Sequence, residues 1–124
     1  MKNRTLPDIL TDDEENLLLL SFNRRYPTAF RNRTMILVAL NTGMRIGDLI
    51  NLRWEDIELD SGRCHIKQGK GKKDRVIFIK PEVLSSMVDM AKKMNRDRTG
   101  LMFTTLQGKP VQSQYLRRMI RFFR

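Results

Sequence analysis

Leu40-Asn41-Thr42-Gly43-Met44-Arg45-Ile46-Gly47-Asp48-Leu49-Ile50-Asn51-Leu52-Arg53-Trp54-Glu55-Asp56-Ile57 is the stretch on which the reading of this chain turns. Thr42-Gly43 breaks one helix, because glycine enters the left-handed region that ends a helix without steric cost. A short helix starts near Arg45, with Ile46, Leu49 and Ile50 spaced to bury one face. After Trp54, Asp56-Ile57-Glu58-Leu59 alternates polar and apolar side chains, the period of a half-buried strand. An arginine at that helix start offers a planar fork of donors to a phosphate, with free backbone amides nearby. The competing reading is an ion pair between Arg45 and Asp48 on one helical face. Spacing alone does not separate the two.

Upstream, Thr11-Asp12-Asp13-Glu14 is a capping box, and its acids suit the positive end of a helix dipole. That helix is expected to run through Leu17–Leu20 and end near Arg24, before Tyr26-Pro27. A second is expected from about Thr28 to Asn41. Downstream, Asp60-Ser61-Gly62 is a turn, Arg63 to Lys67 a second strand and Arg75 to Ile79 a third, joined by the basic connection Gly69-Lys70-Gly71-Lys72-Lys73. Pro81 opens a helix with Val83, Leu84, Met87, Ala91 and Met94 on one face. Leu101-Met102-Phe103 reads as a short strand. A last helix follows Gly108-Lys109-Pro110, with an apolar stripe of Leu116, Met119, Ile120 and Phe123. The expected fold is α+β: mainly helical, with a small three-stranded antiparallel sheet, in a single domain spanning residues 1–124.

The balance of 24 Lys and Arg against 14 Asp and Glu leaves +10, and the pI is near 10.4. Polyanions are the expected partners, since each phosphate neutralised releases counterions and adds affinity independent of sequence. From Lys92 to Arg124 nine basic residues face one acid, Asp97. A solvated basic surface is the bland alternative. The single cysteine, Cys64, excludes an internal disulfide, and no histidine pair or further cysteine suggests zinc. No apolar run approaches the roughly 20 residues of a membrane span, and no signal core follows Met1-Lys2-Asn3-Arg4. No metal, cofactor or membrane is expected, and the cytoplasm is the expected compartment.

The segment around Arg45 resembles the first arginine motif of the tyrosine recombinases, the phage-integrase type, usually written Thr-Gly-x-Arg-x-x-Glu-Leu. Gly69-Lys70-Gly71-Lys72-Lys73-Asp74-Arg75-Val76 is similar to that family's Gly-Lys-Gly-x-Lys-x-Arg hairpin. Leu6-Pro7 with Leu10-Thr11, and Leu101-Met102-Phe103 with Gly108-Lys109-Pro110, also fit in register. The resemblance implies double-stranded DNA as the partner and a covalent 3′-phosphotyrosine intermediate formed without metal or nucleotide, in a bacterial, archaeal or mobile-element setting. It gives Arg45 the role of holding the scissile phosphate, and Lys70 that of protonating the leaving 5′ oxygen. Asp48 stands where the family has Glu and supports Arg45. Lys72, Lys73 and Arg75 help the hairpin approach phosphates or, on the blander reading, form a solvated tip.

The family's His-x-x-Arg and its later nucleophilic tyrosine have no match here. Tyr115 is expected to pack, Tyr26 lies in a loop, and His65 is expected to be structural. The chain is therefore read as the first part of a catalytic domain, truncated before the second arginine motif and inactive alone. Two other classes remain open. One is a basic or regulatory remnant that occupies DNA without cutting it. The other is an interaction protein pairing through the apolar face near Phe122 and Phe123, with a second copy or with recombinase subunits.

Overall fold

A computed structural model describes residues 11–67, 71 and 73–122. Five helices, one turn of 3₁₀ helix and one hairpin follow each other in the order α1 (Asp12–Leu20), α2 (Pro27–Thr42), α3 (Ile46–Ile50), the 3₁₀ turn (Trp54–Asp56), β1 (Arg63–Ile66), β2 (Arg75–Phe78), α4 (Pro81–Lys93) and α5 (Ser113–Phe122). The chain is α+β, as expected. Residues Leu6, Pro7, Leu10, Lys70, Lys72 and Phe123, named above, lie outside the described residues.

The capping box forms at both ends: the Glu14 amide donates to Thr11 Oγ1 at 3.1 Å, and the Thr11 amide to Glu14 Oε1 at 3.0 Å. These bonds from Thr11 hold the Glu14 carboxyl below its usual range. The helix ends at Leu20, short of the expected Arg24. The Ser21 hydroxyl donates to the Leu18 carbonyl at 2.6 Å, and Asn23 Oδ1 accepts from the Arg25 amide at 3.1 Å. Such local side-chain bonds offer the backbone a turn in place of another helical step.

Helices α2 and α4 pair antiparallel and pack their buried faces against each other. The Lys80 amide donates to Asn41 Oδ1 at 3.2 Å at one end, and Thr34 and Ser86 share a hydroxyl bond of 3.1 Å midway. Met35, Val38 and Ala39 from α2 are buried, as are Val83, Met87, Met90 and Ala91 from α4. The expected α4 face is therefore present, with Met90 added and Leu84 only partly covered.

The expected three-stranded sheet is corrected to two strands among the described residues. β1 and β2 pair antiparallel, with Cys64 opposite Ile77 and Ile66 opposite Arg75. Residues 56–59 do not form the first strand. Asp56 Oδ2 accepts the Arg53 amide at 3.1 Å and winds Trp54–Asp56 into the 3₁₀ turn, leaving Ile57 with one isolated bridge to Cys64. Leu101, read as the start of a strand, likewise makes a single bridge, to Arg53. The Trp54 amide donates to Gly100 O and the Met102 amide to Leu52 O, both at 2.9 Å, so this loop packs beside the 3₁₀ turn.

Helix α5 buries Leu116 fully and Met119 and Ile120 in part. It is tied to α2 through a buried cation. Arg31 is 4% exposed and donates to Asn32 Oδ1 from Nη2 at 2.8 Å and to the Thr104 carbonyl from Nη1 at 3.0 Å. Asn32 Nδ2 in turn donates to the Tyr115 hydroxyl at 2.9 Å. Tyr115, expected to pack, is partly exposed, and it is held by Asn32 at its hydroxyl and by Arg31 at its ring.

Candidate nucleic-acid interface

Arg45 owes its position to its two neighbours. Gly43 closes α2 at φ +68°, the Thr42 hydroxyl accepts the Met44 amide at 3.1 Å, and Met44 and Ile46 are both buried. Between these anchors the chain is extended at Arg45, the N-cap of α3, and its side chain is exposed. Among the described residues the Arg45 guanidinium has no ion-pair partner, so the Arg45–Asp48 pair considered from spacing does not form. At five residues α3 is too short to add a helix-dipole field of consequence.

Asp48 turns instead to the hairpin. Its Oδ2 lies 3.4 Å from Arg75 Nη2, with the Asp48 side chain 19% exposed and Arg75 45%. Helix α3 and the start of β2 are thereby neighbours, although 27 residues separate the two partners. Sequence spacing carried no sign of this contact. Lys73 is exposed beside it, and Gly71 takes φ +73°, with open space where a Cβ would stand. Lys70 and Lys72, the other two expected cations, fall outside the described residues.

Two further contacts brace the hairpin. His65 Nε2 lies 3.0 Å from Asp74 Oδ2 across the strands, which accounts structurally for the lone histidine. Lys67 Nζ lies 3.6 Å from Asp56 Oδ1 at the 3₁₀ turn. Among the described residues no group of three His, Cys, Asp or Glu side chains could hold a metal. No described helix is long and apolar enough to cross a membrane.

The far end of the α2–α4 pair holds a cleft of about 270 Å³ lined by Arg31, Trp54, Met90, Met94, Arg96 and Asp97, among others. Arg31 there is occupied by Asn32, Thr104 and Tyr115, and burial holds its guanidinium below the ordinary range, opposed by Tyr115. That cleft lies between the C-terminal end of α4 and the loop of residues 96–108, with Arg31 from α2 in its lining.

A helix-stop arginine, a short apolar helix and a glycine-flanked basic hairpin lashed to that helix define a class, the tyrosine recombinases. The chain belongs to the phage integrase family, whose model matches residues 8–123. It is 30% identical over 117 residues to the tyrosine recombinase XerC of Lactobacillus delbrueckii subsp. bulgaricus, a match covering 90% of this chain and 39% of that protein. To the tyrosine recombinase XerD of Staphylococcus saprophyticus it is 31% identical over 124 residues, covering 96% of this chain and 42% of that one. Among solved structures, the XerH site-specific recombinase bound to difH substrate in a pre-cleavage complex superposes with a TM-score of 0.72 at 28% identity, over 98% of this chain and 38% of that chain. The XerA recombinase shares the fold with a TM-score of 0.73 at 22% identity, over 96% of this chain and 42% of that one. The chain spans about two fifths of the length of the curated relatives it matches.

Proposed function

We propose that these residues form the first part of a site-specific recombinase catalytic domain that engages duplex DNA in the cytoplasm, with Arg45 gripping the scissile phosphate. The observation that carries this reading is the Asp48–Arg75 ion pair, which joins the helix that Arg45 opens to the start of β2, five residues after Lys70 in the sequence. An exposed guanidinium with no ion-pair partner among the described residues can give its donors to a phosphodiester. Attack on phosphorus concentrates negative charge on the non-bridging oxygens, and a cation fixed beforehand lowers that barrier. Lys70 would give a proton to the 5′ oxygen as its bond to phosphorus breaks, and Lys72 and Lys73 would meet neighbouring phosphates. The nucleophilic tyrosine and the second arginine would come from outside these 124 residues. Further recombinase subunits on the DNA are the partners this reading implies.

Duplex binding followed by fluorescence anisotropy tests it, with Arg45→Ala compared with Lys92→Ala. Lys92 sits in the last turn of α4, at the opposite end of the α2–α4 pair from Arg45. Loss of charge-assisted bonds at Arg45 is expected to weaken binding roughly tenfold or more, and loss of Lys92 far less. Equal losses from the two variants would favour a basic module that holds DNA through net charge alone.

A further inference from the structure

We infer that Arg75 is a positioning residue that acts through Asp48, a latch holding the lysine hairpin against α3, and is not itself a phosphate ligand. The inference rests on the functional reading above. Strand alternation supports it first. Arg75 faces Ile66 in the antiparallel register and shares a side of β2 with Ile77, which faces Cys64. Ile66 and Cys64 are buried, so Arg75 stands on the side of the hairpin turned toward the body of the protein. The outer side carries Val76 and Phe78, both exposed.

The second support is the partner. Asp48 is largely covered, and its carboxylate sits 3.4 Å from the Arg75 guanidinium. A phosphate recruiting Arg75 would have to compete with that carboxylate, whereas exposed Lys73, two residues earlier, has no ion-pair partner among the described residues. Lys67 ties the hairpin to the 3₁₀ turn and His65–Asp74 closes it on itself. Removing the Asp48–Arg75 pair would release this polar link between α3 and the start of β2. Partly exposed ion pairs are weak, so the latch biases the hairpin's position and does not lock it.

A double-mutant cycle tests this, using the full chain, Asp48→Asn, Arg75→Gln and the double variant. Amide hydrogen exchange along β2 and affinity for duplex DNA are both measured. With a latch, each single substitution speeds β2 exchange by roughly two- to fivefold, the scale of a partly exposed ion pair, and the double variant exchanges no faster than either. Arg75→Gln then weakens duplex binding when Asp48 is present and changes it little in the Asp48→Asn background. If Arg75 is a phosphate ligand, Arg75→Gln weakens binding as much or more in the Asp48→Asn background and leaves exchange unmoved, which overturns the latch. Should the chain bind no duplex at all, the functional reading fails while the exchange cycle still decides the latch.

Discussion

The Arg31 guanidinium lies 5.4 Å from the centroid of the Tyr115 ring, so a cation from α2 and an aromatic from α5 hold those two helices together. Charged side chains are almost never fully buried unless compensated. Here the compensation is two oxygen acceptors and a ring face, with no carboxylate among the described residues. Arg31→Ala leaves Asn32 Oδ1 and the Thr104 carbonyl short of a donor and is expected to cost about 3 kcal/mol. Tyr115→Phe keeps the ring and removes only the acceptor for Asn32, with an expected loss of about 1 kcal/mol. Urea denaturation of both variants and of Tyr115→Leu orders them. Equal losses for the Phe and Leu variants would mean that the ring contributes nothing to the junction.

Glycines at the two ends of the functional stretch differ in what surrounds them. Gly43 has φ +68° with open space around it, so Gly43→Ala meets only backbone strain, about 1 kcal/mol. Gly62 also has positive φ, but a Cβ there would run into the carbonyl oxygen of Ile79. That carbonyl cannot yield cheaply, because the Ile79 amide is bonded to Gly62 O at 2.8 Å and the Gly62 amide to Glu58 O at 2.7 Å. Thermal melts are expected to show a clearly larger loss for Gly62→Ala than for Gly43→Ala. The reverse order would place the strain of this hairpin elsewhere.

Cys64, on strand β1, is fully buried on the inner side of the hairpin, and burial, with Asp56 adding to it, pushes its thiol from an ordinary 9.0 up to about 11. The unfolded thiol ionises first, so between those values the native state holds the extra proton. The stabilisation is therefore complete below pH 9 and is lost as pH rises toward 11, by about 2–3 kcal/mol. Subtracting the pH profile of Cys64→Ala from that of the natural chain isolates this contribution. Identical profiles above pH 9 would contradict it. At neutral pH the thiol of the folded chain is expected to resist alkylation until denaturant is added.

The parts of this fold that could be read in the sequence are those set by local chemistry. Thr11 and Glu14 cap a helix, Gly43 ends one, Pro81 starts one, and each does so through atoms within a few residues. The strand read at residues 56–59 failed for the same reason in reverse. Asp56 looked like the polar half of an alternation, yet its carboxylate folds back on the Arg53 amide, while both Glu55 oxygens reach across to the Gly100 amide at 3.1 and 2.9 Å. The candidate site was legible as two motifs but not as one place. Arg45 announced itself at a helix start, whereas the Asp48–Arg75 contact between α3 and the start of β2 links positions 27 residues apart with no periodic signal. Arg31 was equally hidden, because its partners Thr104 and Tyr115 come from the opposite end of the chain.

If Arg45 grips a phosphate through a fork of donors, geometry at that position matters apart from charge. Arg45→Lys keeps the cation but cannot offer two parallel N–H bonds, since an ammonium is a point charge on a flexible stem. Its duplex affinity is expected to fall about fivefold, roughly one charge-assisted bond's worth, while the slope of log affinity against log salt stays that of the natural chain. Lys73→Ala is expected to act in the opposite sense. The side chain is exposed on the hairpin, so its loss should lower that slope by about 0.9, the release of one counterion. A salt series on the natural chain and these two variants separates shape from charge. Were Arg45→Lys indistinguishable from the natural chain in both affinity and slope, Arg45 would be one more surface cation, and the phosphate grip would have to be sought elsewhere in the domain.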